Sequence, residues 1–261
     1  MNIIPIEYKQ AMNIEHGDIK WPCRFLFAFL FIMNLAVNFN PYASSDFDAL
    51  INYIYNGTED LTSIYDLPIT QGNIIYLVTI SASVIITVFV YGIISAVLAK
   101  KYRIKNVDDE PSKDRIPLRK VIVWGLFILL VFIPFAFNVV YSLIGVIIIL
   151  PGAVLLPAFY MNDNCNIFRS IGRTVYHLRR AYMKTLQVII LIYLTYYVVS
   201  LISNMLIYQF TSPGAIVLSS FASAWCWTAL ARYAGARYRV LKYLKGANPF
   251  QTPNQEGSKS I

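Results

Sequence analysis

Charge is scarce in this chain. Only 14% of its 261 residues are Asp, Glu, Lys or Arg, 57% are hydrophobic, and the mean hydropathy is +0.54. Soluble domains carry about a quarter charged residues, so the shortage excludes an ordinary soluble fold and points to a bilayer. Histidine is scarcer still: His16 and His177 are the whole supply, too few for a multi-histidine metal site. No GxxxxGK[ST] phosphate loop, HExxH or GxSxG occurs. The three cysteines, Cys23, Cys165 and Cys226, stand isolated and make neither a disulfide framework nor a metal pattern. Together these shortages argue against an enzyme and give no reason to expect a cofactor.

What the chain does have is long apolar runs. A helix needs roughly 17 to 25 apolar residues to cross about 30 Å of hydrocarbon. Six such runs can be placed, over 21–38, 74–99, 121–137, 139–159, 186–208 and 215–232. None has Asp, Glu, Lys, Arg or His at its middle, where proton relays, ion-coupled sites and voltage sensors carry them. The third and fourth runs are one uncharged stretch, about 60 Å if it were a single helix. Pro134 and Asn138 near its middle predict a tight hairpin instead.

The basic residues fix an expected topology. Under this division all 22 Lys and Arg fall in the N-terminal segment, the 100–120 loop, the 166–184 segment or the C-terminal stretch. The long loop between the first two runs has no basic residue and carries Asp46, Asp48, Glu59, Asp60 and Asp66. The positive-inside rule then places that loop outside and both termini in the cytoplasm. The N-terminal twenty residues read as a weakly amphipathic leader without a cleavage site. The expected fold class is all-α, an integral membrane helix bundle of about six transmembrane helices, N-in and C-in. One domain spans 1–250, and 251–261 form a disordered cytoplasmic tail.

Between the fourth and fifth runs lies NIFRSIGRTVYHLRRAYMK, residues 166–184, with five positive charges and no negative one. Ile167, Ile171, Val175, Leu178 and Tyr182 recur at helical steps, and Arg169, Arg173, His177, Arg180 and Lys184 recur at the same steps on the other side. Asn162, Asp163 and Asn164 are candidate N-caps, so a helix over 165–185 is predicted to lie in the cytoplasmic interface, apolar face toward the acyl chains. Arg169, Arg173, Arg180 and Lys184 are the candidate contacts for anionic lipid or a cytoplasmic partner. The alternative is an elbow that orients the flanking spans. His177 reads as one more member of the polar face. After the sixth run the chain is expected to continue helical into the cytoplasm, with stop signals at Gly246 and Pro249.

Two spans carry polar stripes. Thr79, Ser83, Thr87, Tyr91 and Ser95 recur at steps of four in the second; Tyr193, Tyr197, Ser200 and Asn204 lie along the fifth. Such residues let membrane helices pack closely and hydrogen-bond across the contact, or they line a cavity for an amphiphile.

The stretch from Ile147 to Leu194, an apolar run ending LPAFY, then MNDN, then NIFRSIGRTVYHLRRAYMKTLQVIILIYL, resembles a recurring unit of bacterial multi-pass membrane proteins. Among these is the membrane domain attached to some glycerophosphodiester phosphodiesterases. In that unit a span ends at an acidic residue, a short amphipathic helix with a Ser and basic residues follows, and then another span. Asp163, Ser170 and Arg173 fill comparable places, over about a fifth of the chain. The phosphodiesterase barrel is absent, so the resemblance implies a bacterial membrane module and not that activity. The expectation is a non-enzymatic scaffold or accessory module of the bacterial cytoplasmic membrane, with membrane lipids as partners and no nucleic acid. The alternatives are a permease subunit served by a separate ATPase, which would be the cytoplasmic partner, or an immunity protein whose acidic outer loop binds a cationic peptide.

Overall fold

The computed structural model describes residues 3–13, 19–55, 68–102, 116–137, 143–209 and 212–243. Among these the chain is all-helical, with nine helices. They are α1 (Ile3–Met12), α2 (Lys20–Asn38), α3 (Asp48–Tyr55), α4 (Gln71–Lys101), α5 (Leu118–Phe137), α6 (Leu143–Asn162), α7 (Ile167–Leu178), α8 (Tyr182–Gln209) and α9 (Ser212–Tyr243). Four stretches are long and apolar enough to cross a membrane: Lys20–Asn38, Gln71–Lys101, Tyr182–Ser203 and Pro213–Lys242. A shorter apolar helix covers Ile149–Asn162.

The described part of each apolar run falls within one helix; 139–142 of the fourth run lie outside the described residues. Pro134, expected to break the third run, lies inside α5, which continues to Phe137. Proline removes one ladder hydrogen bond, a local cost that an otherwise apolar helix absorbs. The hairpin turn expected at Asn138 lies outside the described residues, as do Gly246, Pro249 and the 251–261 tail. Helices α1 and α3 arise where the sequence reading expected none.

Helix α9 is the pillar of the bundle, touching α1, α2, α4, α6, α7 and α8. Half of its apolar window is buried, against 22% for each of the other three candidate spans. From Thr228 to Val240 every residue is buried. Helices in lipid gain little from hydrophobicity when they associate, so close contact and hydrogen bonds must hold them. The small residues Ala229, Ala231, Ala234, Gly235 and Ala236 permit that contact. A Cβ at Gly235 would stand 2.8 Å from Leu98 Cβ and 2.9 Å from the Ala99 nitrogen, so α4 and α9 touch backbone to backbone there. Toward its N-terminus α9 meets α2 through aromatic rings. Phe27 stands edge-on to Phe221 and Trp225, with centroids 5.1 and 5.9 Å away.

The outward faces of α2, α4, α5 and α8 expose large apolar side chains, among them Ile32, Val78, Leu130 and Leu194. A water-soluble surface rarely carries so many together; acyl chains suit them. The two ends of the bundle differ. At one end Thr70 and Asn73 form a capping box on α4, and Asn73 Nδ2 donates to the carbonyls of Ser44 and Asp46. At the other end the last turns of α4, α6 and α9 meet α1, α7 and the first turns of α5 and α8; we call it the basic pole.

The Gly235 contact has a direct consequence. Gly235→Ala is expected to lower the thermal midpoint in detergent, at a cost of about 1–3 kcal/mol from overpacking. Gly172→Ala, where a Cβ meets nothing within 4 Å, is expected to be neutral or stabilising, by up to about 1 kcal/mol.

Candidate functional site

The basic pole is built on cations that a membrane protein has to satisfy internally. Arg232, Arg237 and Arg239 are all buried. Arg239 Nε donates to the Ala99 carbonyl at 2.6 Å, in the last turn of α4, where the helix dipole favours positive charge. Arg232 Nε donates to the Tyr102 hydroxyl at 3.0 Å. Arg237 reaches the other side of α9: its Nε donates to Thr185 Oγ1 at 3.2 Å and its Nη1 pairs with Glu7 Oε1 at 3.4 Å, both partners of the ion pair being buried. Glu7 thereby pins α1 to α9, while Tyr8 and Thr195 share a 2.5 Å hydrogen bond that ties α1 to α8. Glu7 Oε2 and the Tyr233 hydroxyl are buried with no hydrogen bond of good geometry. Burial pushes the Glu7 carboxyl above its ordinary value, with Arg237 and Lys184 pulling it back down.

Asp163 is the second anchor and the more heavily used one. Its side chain is 3% exposed. Oδ1 accepts from the Tyr238 hydroxyl at 2.8 Å and from Lys242 Nζ at 2.7 Å; Oδ2 pairs with Arg173 Nη1 at 3.3 Å. Its backbone carbonyl accepts from Lys120 Nζ, which also donates to the Tyr160 carbonyl at 2.9 Å and so caps the C-terminus of α6. One residue before it, Asn162 Nδ2 donates to Ala96 O at 3.2 Å, joining α6 to α4. Burial alone would raise the Asp163 carboxyl. The Lys242 ammonium, the Tyr238 hydroxyl and Arg173 outweigh it and hold the group below its ordinary 3.8. Asp163 thus ties the end of α6 to α7 and α9 through its carboxylate and to α5 through its backbone carbonyl.

Asp163 is therefore not an N-cap of the amphipathic helix, as the sequence reading had it. Asn166 takes that place: its side chain accepts from the Arg169 amide at 2.9 Å, and α7 starts at Ile167. The expected single helix over 165–185 is broken at 179–181, after which α8 begins at Tyr182. Nor does the apolar stripe face one medium. Ile167 and Leu178, with Ser170 and Thr174, are buried against the bundle, whereas Val175 and Phe168 are 59% and 78% exposed. Ser170 and Thr174 can face inward because their hydroxyls bond the carbonyls of Asn166 and Ser170 one turn back.

At about 100° per residue, Phe168 and Val175 lie roughly a third of a turn from the bundle face on one side, and Arg169 and Arg173 lie roughly a third of a turn away on the other. Tyr176 is exposed between the two arginines and the C-terminal end of the helix. His177 is half-buried and stacked on Phe159, ring centroids 5.5 Å apart. The four basic candidates differ in their surroundings. Arg169 and Arg180 are exposed, Arg173 is drawn inward to Asp163, and Lys184, though exposed, acts on Glu7 of α1.

The polar stripes separate as well. On α4, Thr87 and Tyr91 are buried and Thr79 and Ser83 half-buried. The Tyr91 hydroxyl donates to the Val154 carbonyl at 2.8 Å, one turn before Pro157 loosens the α6 ladder. On α8, Tyr193 and Tyr197 are exposed and Ser200 is half-buried; the side chain of Asn204 lies outside the described residues. Many of the span hydroxyls bond their own helix: Thr79 to Ile75, Ser95 to Gly92, Thr195 to Leu191, Ser203 to Val199, Thr228 to Ala224. That arrangement suits packing.

Three determinants escaped the sequence reading: Glu7 in the presumed leader, and Arg237 and Tyr238 in the presumed cytoplasmic extension. The Ala- and Gly-rich run from Ala229 to Ala236 was the available signal, since small residues mark close helix contact. No protein-family model, curated protein or solved structure matches the chain, so the resemblance of the 147–194 stretch rests on its residues alone.

Asp163→Ala is expected to cost about 1–3 kcal/mol at neutral pH, because it removes the shared acceptor of the Tyr238 hydroxyl, Lys242 and Arg173. The pH dependence follows from the sign of the shift: with its folded value depressed, Asp163 contributes fully above its unfolded value near 3.8, and the contribution is lost as pH falls through the folded value. Glu7 works the other way, its raised value favouring the folded state as it takes up a proton. Thermal unfolding of wild type in detergent from pH 7 downward should show the acid-side loss, and Asp163→Asn should flatten it.

Proposed function

We propose that the chain is a non-catalytic module of a bacterial cytoplasmic membrane, crossing it six times with both termini inside, and that it serves as a scaffold or accessory subunit holding α7 in the cytoplasmic headgroup layer. The observation that carries this is how Asp163 is held. Both its oxygens are engaged, by Tyr238, Lys242 and Arg173. A buried carboxylate held that way and below its ordinary value suits a brace and not a general base, which needs a value near the working pH. The pole then presents a rigid platform whose outward element is α7.

Six crossings are supported by the lengths of α5 and α6. At 20 residues each they span about 30 Å, in addition to the four long apolar stretches. Asp46 and Asp48 at the end of the bundle opposite the basic pole suit the outer side under the positive-inside rule. The three faces of α7 suit a helix lying beside the bundle in the plane of the interface: protein on one side, acyl chains against Phe168 and Val175, headgroups and water along Arg169 and Arg173. The same short helix packed on α6 and α9 would suit the coupling surface of a permease, and purification distinguishes the two.

Two measurements test the reading. Phe168→Trp, in a full chain whose Trp21, Trp124, Trp225 and Trp227 are replaced by Phe, is expected to be quenched in bilayers by lipids brominated on their acyl chains; fluorescence indifferent to bromine would remove α7 from the bilayer. Affinity purification in mild detergent compares wild type with a variant in which Arg169, Arg173, Arg180 and Lys184 are all Gln. Scaffolding without coupling predicts that no nucleotide-binding subunit is lost. Loss of such a subunit in the variant would make the protein a permease component.

A further inference from the structure

Arg173 occupies a position that neither a brace nor a surface charge alone requires. Its guanidinium carries five N–H donors in a planar fork. The Asp163 contact uses Nη1 at 3.3 Å, the longest of the three distances around that carboxylate, and the Arg173 side chain remains 41% exposed. Oδ1 is already served by Tyr238 and by the Lys242 ammonium. One guanidinium nitrogen is tethered to Asp163 while the side chain stays part-exposed, an arrangement that leaves arginine donors for a second, bidentate anion.

Its surroundings define that anion. Arg169 stands one turn before Arg173 on the same exposed side, and Arg180 follows Leu178 at the turn into α8. About a third of a turn from the bundle face on the other side, Phe168 and Val175 are exposed, and the apolar surface continues along α8 through Met183, Ile190 and Leu194. Basic groups and exposed apolar groups thus occupy the two flanks of a single helix. A soluble anion would need only the first; a phospholipid needs both.

We propose that Arg173 binds the phosphate of an anionic phospholipid of the surrounding leaflet on its outer edge while keeping Asp163 on its inner edge, with Arg169 and Arg180 flanking. The site rests on the reading that α7 lies on the bilayer. It goes beyond that reading by ranking the basic residues: Arg173, held in place by Asp163, contributes more than the freely exposed Arg169. Lipid occupancy is also tied to the buried network that joins α5, α6, α7 and α9.

The test uses the full chain in nanodiscs of mixed phosphatidylglycerol and phosphatidylcholine, released gently and weighed by native mass spectrometry. Wild type should retain phosphatidylglycerol over phosphatidylcholine. Arg173→Gln should reduce that preference about fivefold, Arg173→Lys should lie between, and Arg169→Gln should change it less than Arg173→Gln does. Arg173→Lys keeps the charge near Asp163, so it reports even if the Gln variant folds poorly. A wild-type preference retained in both Arg173 variants, an Arg169→Gln loss as large as that of Arg173→Gln, or no preference in wild type, would overturn the proposal. The Phe168→Trp experiment separates the two failures. Quenching by brominated lipid together with an indifferent Arg173 leaves α7 on the bilayer and removes the phosphate site; absence of quenching removes the reading beneath it.

Discussion

The structure depends on satisfying buried positive charge at one end of an apolar bundle. Arg232, Arg237 and Arg239 lie on a stretch of α9 that is enclosed all round, and an isolated cation in such a place would cost several kcal/mol. Each meets a particular partner: the Tyr102 hydroxyl, Glu7 with Thr185, and the Ala99 carbonyl. Asp163 does the same for Lys242 and Arg173. These partners come from α1, α4, α6 and α8 and from the turns that follow them, so neutralising one helix fixes the positions of the others. Helices that lipid alone would leave free to slide past one another acquire a register.

That constraint accounts for features that otherwise look unrelated. A glycine is needed at 235 because the backbones of α4 and α9 touch there, one turn before Arg239 bonds the Ala99 carbonyl. Helix α1 is held to α9 by the Glu7–Arg237 pair. Helix α7 is pressed to the bundle by Ile167, Ser170, Thr174 and Leu178, which leaves Phe168, Val175 and Arg169 exposed. The segment that reverses the chain between α6 and α8 is oriented by the same carboxylate that orients one of its arginines.

The sequence made some of this legible. Four of the six apolar runs fall in helices long and apolar enough to cross a membrane, as expected where nothing but a helix can cross hydrocarbon; α2, expected over 21–38, is Lys20–Asn38. The spacing in 166–184 predicted a helix, and α7 covers Ile167–Leu178 of that segment. What stayed hidden was three-dimensional. Arginine and tyrosine in ARYAGARYRVLKY have the composition of a solvated juxtamembrane helix, and only the packing of α1, α4 and α6 around them makes the segment interior. Asp163 is flanked by asparagines and followed by a helix, which is the local pattern of a cap. Local pattern carries no information about Lys242, 79 residues away. The stripe Ile167, Ile171, Val175, Leu178 and Tyr182 was correct as a pattern and incomplete as a surface, since periodicity does not distinguish protein from lipid as the apolar neighbour.

The enclosure of the C-terminal half of α9 is the central claim, and its accessibility can be measured directly. In a background with Cys23, Cys165 and Cys226 replaced by Ala, single cysteines are placed at Ala236, which is wholly buried, and at Arg180, which is exposed. Each is challenged with a charged maleimide in inverted membrane vesicles. The structure predicts rapid labelling at 180 and protection at 236 until the protein is denatured. Equal labelling of the two positions in native vesicles would mean that the helix projects into water, and the ionic core described here would not exist.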